Sequence, residues 1–213
     1  MSYFKLTLFF VLFASQAFAL SLEQVKTALK EGVIPRDSVE MNLRISVKAQ
    51  GVYQQTDIYI VNKGIGKSFT EIRGGFLNQR SIVNGNKMKI VDLKTNRTQL
   101  LDYNRESLQA NSYADFNPLD SGDWEEPKFL SGEIYQIKGP VGSVYYNSKT
   151  KRIEKVEAVK DRTNTQTTFT YDASNRLKKM AVSVMVNGTE SVVTTEILRM
   201  RKSDKVPDSL FEL

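Results

Sequence analysis

The first long element of the chain carries its apolar residues in strict alternation with polar ones. From Met41 to Gly51 every second residue is apolar or small, and the residues between them, from Asn42 to Gln50, are polar or charged. A period of two places successive side chains on opposite faces of a strand. The pattern therefore predicts a long strand with one buried face.

Further strands are predicted from short runs separated by turn-forming residues. The segment Ser81–Tyr103 contains the turn signals Asn84-Gly85-Asn86 and Lys94-Thr95-Asn96, which divide it into three short strands. The other predicted strands are Thr56–Val61, Lys67–Ile72, Glu133–Lys138, Val141–Asn147, Arg152–Val159, Thr165–Tyr171, Leu177–Val186 and Thr189–Met200. Hairpin connectors such as Asn187-Gly188 indicate an antiparallel meander.

The number of strands constrains the shape of the sheet. A meander of about eleven or twelve strands has to curl, because twisted open sheets seldom stay flat beyond about ten strands. The fold class predicted is therefore mainly β with a little helix (α+β): a strongly curved antiparallel sheet that forms a half-closed β-barrel. An N-terminal helix and an irregular middle segment are expected to cover its open side.

The N-terminal helix is predicted over Ser21–Gly32. Ser21 and Gln24 fit a capping box, and Leu22, Val25, Ala28 and Leu29 fall on one helical face. About three turns are marginal alone, so the apolar stripe must pack on the sheet. A second helix is expected to begin in Glu106–Ala110, before Asn117-Pro118 interrupts regular structure.

Residues 1–19 have the pattern of a secretory signal peptide. Lys5 precedes a short apolar run from Leu6 to Ala14, and Ala17-Phe18-Ala19 fits a cleavage site. Residues 20–213 are then expected to form a single domain. Because no lipobox cysteine follows the signal, the sequence indicates an exported protein of the bacterial periplasm that carries no lipid anchor of its own.

The composition narrows the possible chemistry. The chain has no cysteine and no histidine, which excludes Ser-His-Asp and Cys-His nucleophile systems and any His-ligated zinc site. The formal charge is +6, but the basic residues are spread along the whole chain and not concentrated in one stripe, so no nucleic-acid partner is predicted. No cofactor and no catalytic residue is predicted, and the protein is expected not to be an enzyme.

Several features in order resemble the outer-membrane lipoprotein-sorting protein family, the LolA type and its relatives. They are the signal peptide without a lipobox, the short amphipathic helix, the long strand Met41–Tyr53 and the pair of strands around Asp57–Val61. The meander Ser81–Met88, the irregular middle and the ending Val206–Leu213, with its Pro-Asp-x-x-Phe segment, complete the resemblance.

The resemblance implies a half-closed barrel whose apolar face, covered by helices, shields an acyl chain. The implied partners are a lipid or the acyl chain of a lipoprotein, and an inner-membrane release complex or an outer-membrane acceptor. The expected state is a monomer. Residues that could line such a face are Leu43, Ile45, Val47, Ile58, Ile60, Met88, Ile90, Val182 and Val184. The same alternation also fits a barrel interior packed by its own side chains, and both interpretations stay open.

The segment Asp115–Pro127 combines five carboxylates with the only tryptophan of the chain. Phe116 and Trp124 could close the barrel mouth as a lid over the ligand. The oxygen-rich sequence could instead bind Ca²⁺, although its spacing does not fit an EF-hand loop, or be a plain surface loop.

Three functional hypotheses follow. The first is a periplasmic carrier that shields an acyl chain. The second is a sensor or protein-interaction module on the same fold, which signals the state of the envelope to a membrane partner. The third is a hydrolase based on carboxylates such as Glu125 and Glu126.

Overall fold

We describe the protein from a computed structural model. The residues it describes are 20–31, 36–75, 77–104, 117–120, 122–140, 142–160 and 163–213. The predicted signal peptide and the helix expected in Glu106–Ala110 lie outside these ranges. Within them, no helix is long and apolar enough to cross a membrane.

Thirteen strands form one antiparallel sheet that does not close, a curved half-open barrel. Their bounds are β1 Val39–Ala49, β2 Val52–Asn62, β3 Lys67–Gly74, β4 Leu77–Asn84, β5 Lys87–Asp92, β6 Thr98–Asp102, β7 Lys128–Ser131, β8 Ile134–Gly139, β9 Gly142–Asn147, β10 Arg152–Lys160, β11 Thr163–Tyr171, β12 Leu177–Val186 and β13 Thr189–Lys202. The order across the sheet is β6-β5-β4-β3-β2-β1-β13-β12-β11-β10-β9-β8-β7. The predicted fold class is confirmed, and β7 is a strand that the sequence analysis did not predict.

The long β1 strand joins the two halves of the meander. Its residues pair with β2 on one side and with β13 on the other, so the first and last strands of the chain are neighbours in the sheet. This pairing holds residues about 150 positions apart in register, and a bulge in β13 beside Asn42 and Leu43 bends the ladder at its middle.

The helix α1 (Leu22–Lys30) covers one end of the sheet. The predicted capping box is present: the Ser21 hydroxyl accepts a hydrogen bond from the Gln24 N–H, and the Gln24 side chain accepts one from the Ser21 N–H. Val25 is fully buried in a core of residues from β8, β9, β10 and the segment before β7: Leu119, Ile137, Val144, Tyr146 and Ile153. The predicted packing of the helix on the sheet is therefore confirmed.

The side of the sheet on which α1 packs is called the helix face here, and the other side the opposite face. Residues that pair across antiparallel strands lie on the same side of the sheet. Starting from Val144 in the α1 core, the register passes through Val156, Thr167, Val182 and Val193 to reach β1. The two faces can therefore be followed through every strand.

A second core lies on the opposite face. After β13 the chain passes the turn between β2 and β3 and ends in a short 3₁₀ turn, Asp208–Phe211, which we call the C-terminal clasp together with Val206. Phe211 has no exposed surface and packs with residues of β2, β3 and β4: Val61, Phe69 and Ile82. The clasp thus covers the opposite face of β2, β3 and β4, which the sequence analysis did not anticipate.

Ion pairs fix the clasp to the turn between β2 and β3. The carboxylate of Asp208 accepts hydrogen bonds from Lys63 Nζ at 2.7 Å and Lys67 Nζ at 2.9 Å, and Lys63 also donates to the Val206 carbonyl at 2.7 Å. The two ammonium groups lower the pKa of Asp208 from its usual 3.8 to about 2.

This shift predicts a pH dependence of stability. A carboxylate whose pKa is lower in the folded state contributes stability that is complete above its unfolded pKa and is lost as the pH falls toward its folded pKa. We expect Asp208→Asn to remove part of the loss of stability between pH 4 and pH 2, measured by urea unfolding at each pH. Lys67→Met, which leaves only one ammonium group, should make that loss smaller and complete it at a higher pH. Identical pH profiles for all three proteins would contradict the ion-pair assignment.

Candidate functional site

All nine apolar residues that the sequence analysis singled out on the strands lie on the helix face. Leu43, Ile45 and Val47 alternate along β1, and the register places Ile58 and Ile60 of β2 on the same side. Val182 and Val184 of β12 are reached through β13, and Met88 and Ile90 of β5 through β3 and β4.

The structure brings seven of these nine residues together in three groups. Leu43, Ile58 and Ile60 share one cluster with Val39, Met41, Ile197 and Met200. Val182 lies beside Val193, which is the cross-strand partner of Val47. Met88 and Ile90 are separated from β2 by the helix-face residues of β3 and β4: Ser68, Thr70, Ile72, Gln79, Ser81 and Val83.

Several helix-face residues were missed by the sequence analysis. Val193, Ile197 and Met180 continue the apolar surface across β13 and β12, and Ile72 continues it across β3. The signal for Val193 and Ile197 was weak, because Val192 is also apolar and the position between them on the same face is Thr195. The bulge in that strand hides the alternation beyond Ile197.

The helix face is apolar and partly open. Leu43 is buried, whereas Ile45, Ile58, Ile60, Val182 and Val184 are half-buried and Val47 is 38% exposed. In β1–β6, β8, β9 and β11–β13, away from the bulges, only two helix-face positions carry a charge. They are Asp92 and Lys202, and each is the last residue of its strand. The middle of the face therefore presents aliphatic, hydroxyl and amide groups without charge.

The opposite face differs sharply in polarity. Its β1 and β2 positions include Arg44 and Asp57, which form a bidentate pair with distances of 2.8 and 3.2 Å. Tyr145, Lys155 and Glu157 form another network. The Tyr145 hydroxyl donates a hydrogen bond to the Glu157 carboxylate at 2.6 Å, and this bond raises the pKa of Tyr145. These charged parts of the opposite face, away from the clasp, are suited to solvent and not to an apolar ligand.

The helix α1 is held over its end of the sheet by polar contacts at both of its termini. The Glu126 carboxylate accepts a hydrogen bond from the Leu22 N–H at 2.8 Å, satisfying a free donor of the first turn. At the other end Arg152 donates to the Ala28 and Glu31 carbonyls at 3.5 and 3.1 Å, and Lys151 pairs with the Glu31 carboxylate at 3.0 Å.

Trp124 lies in this covered end of the helix face. Its ring packs against the α1 core, and the space for it is left by Gly139, where an added Cβ would lie 2.5 Å from the ring. The structure thus separates Trp124 from the group around Leu43. Phe116 lies outside the described residues, so the lid that the two aromatics would form stays a prediction.

Three described carboxylates of the acidic segment have structural partners. Glu126 caps α1, Glu125 pairs with Lys128 at 2.9 Å, and Asp120 accepts a hydrogen bond from Asn117. Lys128 lowers the pKa of Glu125. Within the described ranges, no group of three or more His, Cys, Asp or Glu side chains could hold a metal ion. These contacts give Glu125 and Glu126 roles in holding the chain, and no contact places the two across a substrate.

Comparisons with known proteins complete the description. No family model matches the chain, and no curated protein matches it in sequence. Among solved structures, a LolA superfamily protein from Nitrosomonas europaea matches with a TM-score of 0.53 and 16% identity, covering 92% of this chain and 99% of its own. A domain from Vibrio parahaemolyticus, described as an outer membrane lipoprotein-sorting protein, matches with a TM-score of 0.51 and 8% identity, covering 89% of this chain and 95% of its own. At these identities the likeness establishes the architecture alone: the chain has a LolA-like fold.

Proposed function

We propose that this protein is a non-enzymatic carrier of the bacterial periplasm that shields the acyl chain of a lipoprotein or lipid on its helix face. The observation that carries the proposal is an uncharged apolar surface that crosses adjacent strands of an unclosed sheet and is still partly exposed. Soluble monomers rarely leave large contiguous apolar patches open without a ligand or partner for them.

The energetics of an acyl chain suit such a surface. Moving a methylene group out of water contributes about 0.8 kcal/mol, so a chain of about ten carbons can gain several kcal/mol from apolar contact alone. No directional bond and no reacting group is needed. Between the apolar residues of β1–β2 and those of β5 lie the hydroxyl and amide groups of Thr70, Gln79 and Ser81. These groups can form hydrogen bonds with the ester or amide linkage of such a ligand.

The rest of the assignment rests on the signal sequence and on the fold. A carrier between two membranes has to be exported, which the predicted signal peptide of residues 1–19 would accomplish. The Vibrio parahaemolyticus domain of the same fold is described as an outer membrane lipoprotein-sorting protein. By analogy, the partners proposed here are an inner-membrane release complex and an outer-membrane acceptor.

Native mass spectrometry tests the proposal directly. The protein is purified from a periplasm without detergent, its intact mass is recorded, and the bound material is extracted into organic solvent and identified. We expect an added mass of a lipid or lipopeptide that disappears on extraction. If the protein has only its apo mass, and still does after incubation with a phospholipid and a triacylated lipopeptide, the carrier role is wrong.

A further inference from the structure

Fourteen large apolar side chains of the described residues remain exposed, and five of them lie close together. One set of them lies at a single end of the sheet, on three hairpins that stand side by side. These are the hairpins β1–β2, β12–β13 and β10–β11, whose six strands are consecutive in the sheet. The set, called the hairpin rim here, consists of Val52 (57% exposed), Tyr53 (63%), Val159 (64%), Met185 (38%) and Val186 (43%).

The register shows that the rim is one continuous edge. Val52 pairs with Ala49 beside the turn of the first hairpin, and Val186 pairs with Thr189 beside the turn of the second. Ala49 in turn pairs with Ser191, which joins these two hairpins. Met185 faces Asn164, the partner of Val159, which joins the second hairpin to the third.

The rim is also the end of the apolar helix face. On β12, Val182 and Val184 lead directly to Val186, and on the first hairpin Val47 leads to Val52. An apolar chain that enters at the rim therefore meets aliphatic side chains at each step along the face. Three of the rim residues, Tyr53, Val159 and Met185, belong to the opposite face, so the exposed apolar surface wraps around the strand ends.

The positive charge of the chain as a whole favours an anionic surface, and the rim itself has one exposed lysine beside it. Lys48 pairs with Tyr53 and Val192 across the ladder, is exposed, and forms no ion pair with a described residue. Glu190, on the second hairpin, accepts a hydrogen bond from the Ser183 hydroxyl at 2.6 Å. The chain as a whole has a formal charge of +6. Exposed aliphatic tips, an exposed tyrosine ring and a neighbouring lysine form a combination found where proteins lie in a membrane interface.

We propose that the hairpin rim docks on the surface of an anionic lipid bilayer, with the tips of the first two hairpins inserted between headgroups. A protein partner would need neither exposed valines at the ends of separate hairpins nor an apolar path from these valines to the helix face. A bilayer does use both, because its acyl chains can pass from the membrane to the helix face without crossing water. This inference extends the proposed function to the entry of the ligand, although docking itself is measured without any ligand.

Vesicle flotation tests the docking. The purified chain is mixed with vesicles of phosphatidylethanolamine and phosphatidylglycerol in a roughly 3:1 ratio, whose negative surface attracts basic segments, or with vesicles of phosphatidylcholine alone. We expect flotation with the anionic vesicles and little with the neutral ones. The double variant Val52→Asp/Val186→Asp should reduce the fraction that floats by about tenfold, because it replaces both tips with repelled charges.

A matched control separates the rim from exposed apolar surface in general. Ile65 (74% exposed) lies in the turn between β2 and β3, at the other end of the sheet, and Leu198 (49% exposed) lies at the β13 bulge. Ile65→Asp/Leu198→Asp adds the same charge and should float like the unchanged protein. Docking at the rim is overturned if the unchanged chain does not float with anionic vesicles, as expected for a rim that binds protein, or if both double variants lose flotation equally.

The same proteins also distinguish docking from ligand binding. Binding of a fluorescent fatty-acid analogue in solution, without vesicles, reports on the helix face alone. A rim variant that binds the analogue normally but does not float supports both proposals. Flotation without binding of the analogue by the unchanged chain would leave the docking intact and remove the carrier role.

Discussion

Phe211→Ala is expected to lower the free energy of unfolding by about 3–5 kcal/mol, the usual loss when a buried aromatic is truncated in a core that cannot collapse around the gap. Phe211 has no exposed surface and is surrounded by Val61, Phe69 and Ile82 from three different strands. Those strands are held by their own ladders and cannot move independently into the vacated space. The measurement is urea unfolding followed by circular dichroism.

Leu213→Ala is the control for this substitution. Leu213 lies two residues further along and is 42% exposed, so its truncation should change the free energy of unfolding by less than about 0.5 kcal/mol. Equal effects of the two substitutions would show that Phe211 contributes no more to the free energy of unfolding than a solvent-exposed residue does. A loss confined to Phe211 would establish that the last residues of the chain complete the core of the opposite face.

The clasp also shows what the sequence did not reveal. The run Ile58-Tyr59-Ile60-Val61 is apolar at every position, which indicates a strand covered on both sides. The helix face takes Ile58 and Ile60, while Tyr59 and Val61 face the clasp. Nothing in the local pattern states what covers the second side, because the covering segment lies about 150 residues away in the chain.

The alternation of apolar and polar residues also failed to predict that Glu40 is buried, for a related reason. Glu40 belongs to the polar set of β1, which the period of two places toward solvent, yet it is only 5% exposed. Arg201 of β13 donates to it in a bidentate pair, with distances of 2.6 and 2.9 Å, and Tyr59 adds a third hydrogen bond at 3.4 Å. The pairing depends on the register of two strands at opposite ends of the chain, which a pattern along one strand cannot supply.

The helix face, by contrast, was predictable because one rule determines it. Residues two apart in a strand share a face, and antiparallel pairing in register extends that face to the neighbours. The choice of Leu43, Ile45 and Val47 therefore required only the correct phase of one strand. The edge strand β7 escaped prediction because it has four residues, all exposed, and no alternation to detect.

Val182→Glu is expected to weaken binding of a fluorescent fatty-acid analogue by at least about tenfold. Val182 lies on the helix face between Thr167 and Val193, and a carboxylate there has no described cation as a cross-strand partner on that face. An acyl chain in contact with the site would have to bury the charge or leave the surface, and both alternatives cost more than the contact of one valine contributes.

Ala181→Glu is the matched control, because the two residues are adjacent on β12 and both half-buried, but face opposite sides of the sheet. Its carboxylate would lie beside Thr168 and Thr194, on the face that already carries charged networks. Both variants are first compared by thermal unfolding, so that a loss of binding is not a loss of fold. If Val182→Glu binds the analogue as tightly as Ala181→Glu does, the helix face is a packed interior and not a binding surface. If only Val182→Glu loses binding, the ligand lies on the uncharged side of the half-open barrel, and the alternation first visible in the sequence marks the surface that holds it.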